Sequence, residues 1–277
     1  MPQLVSPLIS ASELKQLMRS RSIILIDASN GPNAYSNYLE NHLIGARYVD
    51  LNTQLADIHT DVSFGGRHPL PKAAVFAQFL GEIGISPDNH VVIYDDKNGS
   101  NAAARFWWML KSLGHEKVQV LDGGMNAVNI QQLPMSSKID DFDKKSTYPG
   151  DKWLLPLIEM EELARISENE EYLVIDVRDA ARYSGEVEPI DLIAGHIPGA
   201  INVPFTENLA ENGMFLPSEI LSAKYQDLFK NKRTENIIFH CGSGVTACHT
   251  ILAMAHAKLP LPRLYVGSWS EWSRNEH

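Results

Sequence analysis

Short apolar runs, each closing on a polar residue or a cysteine, recur along the chain. They are Ile23-Ile24-Leu25-Ile26-Asp27, Val91-Val92-Ile93-Tyr94-Asp95, Leu173-Val174-Ile175-Asp176 and Ile237-Ile238-Phe239-His240-Cys241. Unbroken runs rich in β-branched residues predict strands buried on both faces, because a half-exposed strand would alternate apolar with polar. After the second run, Ala102-Ala103-Ala104-Arg105-Phe106-Trp107-Trp108-Met109-Leu110 has helical composition, Gly114 stops it, and Val118-Gln119-Val120-Leu121 supplies another strand. Strand, helix, strand in this rhythm predicts an α/β fold with parallel sheets flanked by helices. At the N-terminus, Ser10 and Glu13 have the spacing of a capping box and predict the start of a helix there.

The pattern runs twice. Asp27 is matched by Asp176, His42-Leu43-Ile44-Gly45-Ala46 by His196-Ile197-Pro198-Gly199-Ala200, Asp95 by Cys241, and Gly123-Gly124 by Gly267-Ser268, at offsets of 149, 154, 146 and 144 residues. Four matches in one order at nearly constant spacing predict a duplicated domain. From Pro134 to Lys138 and on through Pro149-Gly150-Asp151 the chain is polar and aperiodic, which predicts an interdomain connection. The expected organisation is one domain over residues 1–136, a linker over 137–152 and a second domain over 153–277.

The copies differ where chemistry is expected. In the second, the strand ends on Cys241, and Gly242, Ser243 and Gly244 turn the chain into Val245, Thr246 and a helical run. A glycine turn at a helix start aims backbone N–H groups and the positive end of the helix dipole at the sulfur. Such a cradle binds anions and favours a nucleophilic thiolate. A buried core cysteine is the plain alternative, and two glycines with a serine fit it poorly. In the first copy Asp95 stands in that position and is followed by Asp96-Lys97-Asn98, which offers no comparable cradle from sequence. A carboxylate carries no sulfane sulfur, so that loop is expected to be inactive, with the first domain forming the opposite wall of the second domain's cleft.

His240-Cys241-Gly242-Ser243-Gly244-Val245-Thr246-Ala247 resembles the active-site loop of the rhodanese superfamily in its two-domain form. The CGSGVT variant is similar to the 3-mercaptopyruvate sulfurtransferases, whereas thiosulfate sulfurtransferases carry cationic residues after the cysteine. The resemblance implies that Cys241 accepts sulfur from a small-molecule donor as a persulfide. It then passes the sulfur to a thiol such as thioredoxin or glutathione, or to cyanide, in a double displacement without a cofactor. It makes Ser243 and His68 two members of a Ser-His-Asp arrangement. The aspartate of that arrangement falls on Asn52 here, leaving Asp50, Asp57 or Asp61 as substitutes. Arg182 matches the arginine that holds the donor's anionic group, and Gly242, Gly244, Val245 and Thr246 form the loop around the sulfur. A second arginine common after a Glu-Pro pair is absent, since Glu188-Pro189 leads to Ile190. Arg178, directly after its strand, is expected to be structural. The loop itself then offers only backbone dipoles and a hydroxyl, which favours 3-mercaptopyruvate over thiosulfate as donor, with thiosulfate:cyanide transfer as the alternative.

Composition trims the remaining possibilities. In 277 residues, 44% are hydrophobic and 21% charged, which is ordinary for a globular chain of two domains. A net charge of −10 with no basic cluster argues against nucleic acid or an anionic membrane as partner. Two cysteines, Cys241 and Cys248, give no disulfide framework. No apolar run reaches the roughly 18 residues of a membrane span, and a cytoplasmic location is expected. The histidines show no metal-ligand spacing, and Trp107, Trp108, Trp269 and Trp272 are expected as packing residues. A cysteine phosphatase needs an arginine at position 247 to clamp a phosphoryl group, and that residue is Ala247. A non-catalytic persulfide carrier is the other rival, separated by turnover with small donors.

Overall fold

The computed structural model describes residues 5–20, 23–140, 145–230 and 232–275. The chain divides into two compact units. In the first, five parallel strands lie in the order Leu8–Ile9, Val118–Leu121, His90–Tyr94, Ile23–Asp27, Ala46–Tyr48. The predicted buried runs are its central strands, and Val91, Val92, Ile93 and Tyr94 are fully enclosed. Helix Ala102–Ser112 is buried along its length apart from Lys111, as its nearly all-apolar composition requires. Helix Ala11–Leu17 opens with the predicted capping box between Ser10 and Glu13.

The second unit repeats the plan. Its four strands run Arg263–Leu264, Ile237–His240, Leu173–Asp176, Ile201–Asn202, all parallel, and a bridge from Leu157 to Leu264 stands where the first unit has its edge strand. His240 is in register with Asp176, so these two strands end at the same level, one residue before Cys241. Ile158, Leu163, Val174, Ile197, Ile238, Tyr265, Trp269 and Trp272 form its core, and Trp107 and Trp108 are buried in the first unit. No helix among the described residues is long and apolar enough to cross a membrane.

Two stretches sit elsewhere than the sequence suggests. Ala56–Leu70, in the first half of the chain, belongs to the second unit. It has neither helix nor strand, so its backbone polar groups need partners on other elements. Gly65 N–H donates to Glu271 Oε1 (2.6 Å), Arg67 N–H to Ser270 Oγ (3.0 Å), and Ser63 carbonyl accepts from Asn275 Nδ2 (3.0 Å). The second stretch is the expected linker. Of its residues, 141–144 lie outside the described ones, and the rest carries no helix or strand. Its later part docks on the first unit: Ser146 N–H donates to Gly81 carbonyl (2.9 Å), and Tyr148 Oη lies 2.8 Å from His115 Nδ1. The units part between Leu154 and Leu155.

Asp95 corrects the expectation that the first unit's loop lacks a cradle. Its buried carboxylate accepts four backbone N–H groups, from Lys97 (2.9 Å) and Gly99 (2.8 Å) on Oδ1, and from Asn101 (3.1 Å) and Ala103 (3.2 Å) on Oδ2. The loop is an anion cradle already filled by the chain's own carboxylate.

Candidate active site

Cys241 ends strand Ile237–His240 and is 2% exposed. Helix Thr246–His256 begins five positions later, so its unpaired first N–H groups face the loop. The loop is fastened from behind by the start of helix Ser268–Trp272. Ser268 Oγ accepts from Cys241 N–H (3.1 Å) and Gly244 N–H (2.9 Å) and donates to Tyr265 carbonyl (3.0 Å). Trp269 N–H donates to Cys241 carbonyl (3.0 Å) and Ser270 N–H to Gly242 carbonyl (2.9 Å). This corrects one expectation: the Gly244 N–H is given to Ser268 Oγ, at the start of the helix behind the loop, and not to the sulfur. Gly242, Ser243, Val245 and Thr246 keep N–H groups that find no protein acceptor among the described residues. Those four remain as candidates for the cradle.

Cys248 is buried, and its thiol donates to Gly244 carbonyl one helical turn back (3.2 Å). His240 is fully buried, and burial pushes its imidazole below the ordinary range despite Asp176 at 3.9 Å. It is a neutral core histidine.

Ser243 and His68 come together. His68 Nδ1 lies 2.8 Å from Ser243 Oγ, and both belong to the second unit. Of the three candidate carboxylates, Asp50 caps helix Leu51–Gln54, Asp61 accepts from Ser63 N–H (3.0 Å) and Oγ (2.6 Å), and Asp57 is exposed, 3.9 Å from His59.

Arg182 is held by two carboxylates, Glu188 (2.7 Å) and Asp191 (3.1 Å). Burial alone would raise Glu188; bonds from Asp191 N–H, Arg182 and Ile190 N–H bring it below the usual carboxylate range. Arg178 bonds Asp176 (2.7 Å), Glu188 (3.2 Å) and Gly195 carbonyl (2.7 Å), and stacks 5.1 Å from the Trp269 ring, a structural placement. Arg67, which the sequence does not single out, joins them. Its Nε bonds Asp191 Oδ1 (2.9 Å), and its guanidinium reaches the loop: a Cβ on Gly242 would lie 2.9 Å from Arg67 Nη2 and 3.4 Å from Arg182 Nη1. The expectation of a loop served only by dipoles and a hydroxyl is therefore corrected. Two guanidinium groups stand over Gly242, in the direction a side chain at that position would take.

The sequence signature of a rhodanese-like domain matches residues 10–131 and again 159–275. The chain is 41% identical to the "Probable 3-mercaptopyruvate sulfurtransferase" of Pseudomonas aeruginosa, over 94% of this chain and 90% of that one. It is 33% identical to the "Thiosulfate sulfurtransferase" of Gallus gallus, over 96% and 92%. The solved structure of the 3-mercaptopyruvate sulfurtransferase from Leishmania major superposes with a TM-score of 0.85 at 28% identity, over 99% of this chain and 76% of that one. The chain belongs to the rhodanese-like family of sulfurtransferases. Both of its rhodanese-like domains have the strand-end loop, and only the second places a cysteine in it. Arg67 had one signal in the sequence, its place beside His68 after two glycines, but its partner Asp191 lies 124 positions away.

Proposed function

We propose that the protein takes the sulfur of 3-mercaptopyruvate onto Cys241 and delivers it to a thiol, such as thioredoxin or glutathione, or to cyanide. The observation that carries this reading is the Ser243–His68 pair, 2.8 Å apart, at the cradle around Cys241. The Cys241 thiolate attacks the donor sulfur, the carbon–sulfur bond breaks, and its electron pair leaves on the enolate of pyruvate. A proton delivered through Ser243 and His68 completes pyruvate, and Cys241 is left as a persulfide. An acceptor thiolate or cyanide then attacks the outer sulfur and frees the Cys241 thiolate. The cradle N–H groups of Gly242, Ser243, Val245 and Thr246 stabilise negative charge on the persulfide. Arg182 and Arg67 anchor the donor's carboxylate by charge-assisted bonds.

Thiosulfate:cyanide transfer is the second reading, and the two guanidinium groups over Gly242 favour it. The deciding experiment compares kcat/KM for the two donors with one acceptor; a higher value for thiosulfate overturns the donor assignment. Intact mass after donor treatment checks the nucleophile. One added sulfur is expected on the wild type and on Cys248→Ser, and none on Cys241→Ser. Sulfur retained by Cys241→Ser would remove Cys241 from the mechanism.

A further inference from the structure

The arginines at the loop form part of one connected ionic cluster. Asp191, with its side chain fully buried, receives Arg67 (2.9 Å), Arg182 (3.1 Å) and Arg274 (3.6 Å). Glu188 joins Arg182 to Arg178, and Asp176 closes the chain on Arg178. Four guanidinium groups and three carboxylates leave one positive charge, while His240 at the end of the cluster is held neutral by burial. The cluster meets the loop at Gly242 through Arg67 Nη2 and Arg182 Nη1, since the bonds to Asp191 and Glu188 use Nε and Nη2 of Arg182.

We propose that Asp191 sets the charge of the donor the site accepts. By cancelling one guanidinium it leaves a single positive charge over the loop, matched to a thiol-bearing 2-oxo acid with one carboxylate and short of a dianion. Asp191 does not face the loop with its own oxygens; it acts through Arg67 and Arg182 and is a positioning residue. The proposal rests on the donor reading above, but its consequence does not depend on which donor is preferred. A change of one unit in the charge of the site acts on a dianion twice as strongly as on a monoanion at the same place. Removing a negative charge at position 191 therefore moves the donor ratio towards thiosulfate, and removing a positive charge at position 67 moves it the other way.

The test measures kcat/KM for 3-mercaptopyruvate and for thiosulfate at one ionic strength and one acceptor. In Asp191→Asn the thiosulfate to mercaptopyruvate ratio is expected to rise at least five-fold over the wild type; in Arg67→Gln it is expected to fall. A purely structural role lowers both donors together, so an unchanged ratio in both variants overturns the proposal, as does a shift in the opposite sense. A wild type that prefers thiosulfate defeats the donor assignment while the direction of these shifts still judges Asp191. A readout free of turnover is the rate of Cys241 alkylation by iodoacetate relative to neutral iodoacetamide, in a Cys248→Ser background. That ratio should rise in Asp191→Asn and fall in Arg67→Gln, and equal ratios across the three proteins overturn the proposal. Should Asp191→Asn not fold, Arg67→Gln alone carries the test, in which no fall in either ratio is the overturning result.

Discussion

Gly242 and Gly244 stand two positions apart and serve different ends. Gly244 has φ of +70°, and a Cβ there would lie 2.5 Å from the carbonyl oxygen of Val266, a backbone atom with nowhere to go. At Gly242 the nearest atoms to a Cβ are the ends of two flexible arginines. Gly244→Ala is accordingly expected to cost about 2 kcal/mol or more in urea unfolding, from the left-handed backbone and the contact together. Gly242→Ala is expected to stay within about 1 kcal/mol of the wild type while raising KM for the donor several-fold by displacing Arg67. Equal destabilisation by the two would refute this division. At this scale the sequence was readable where residues carry their own geometry. Cys241 with its glycines announced a turn, and Ser243 announced a polar partner. Arg67 was not readable, because an arginine's role is set by the carboxylate it meets, and Asp191 comes from a remote part of the chain.

At the level of elements, the strands were legible because burial on both faces leaves unbroken apolar runs, as in Val91–Tyr94 and Ile237–Phe239. Turns that work by backbone hydrogen bonding were not. The cradle around Asp95 is built from main-chain N–H groups, which side-chain identities at Asp96, Lys97 and Asn98 do not reveal. Nor does the sequence show that helix Ser268–Trp272 carries the anchor for the Arg67–His68 loop. There Glu271 accepts from Gly65 N–H, and burial raises its carboxyl above the ordinary range. A raised acid holds its proton in the folded state to higher pH than in the unfolded chain. Between the ordinary value of about 4.3 and the raised one, stability contributed by this group therefore falls as pH rises. Glu271→Gln keeps an acceptor for Gly65 N–H and removes the titration. Across that window the unfolding free energy of the wild type is expected to fall relative to the variant as pH increases, read by urea titration at a series of pH values. Parallel curves would show that Glu271 does not titrate there.

For the whole molecule, the duplication was legible from repeated strand ends, and both units carry the same strand order. The segment that crosses between them was not, since Ala56–Leu70 has no periodicity by which to assign it. By their contacts His68 and Arg67 belong to the second unit, although they lie in the first half of the chain. A fragment starting at Leu155 would lack both, and would leave Asp191 and Glu271 without bonds they make in the full chain. Its donor kcat/KM is expected to fall by a thousand-fold or more, with a lowered thermal midpoint; full activity from the fragment would show Ala56–Leu70 to be dispensable.

The early position of Ala56–Leu70 also sets an order of events at the ribosome. Leu70 is made roughly 200 residues before Arg274, an interval on the order of 10–40 seconds at about 5–20 residues per second. When it opens, strands His90–Tyr94 and Val118–Leu121 of the first unit are still to be made, so the histidine and arginine destined for the reactive cysteine wait through the rest of that unit and then through the second. The loop around Cys241 is therefore fastened only after Ser268, Trp269 and Ser270 have been made, long after the residues that will face it.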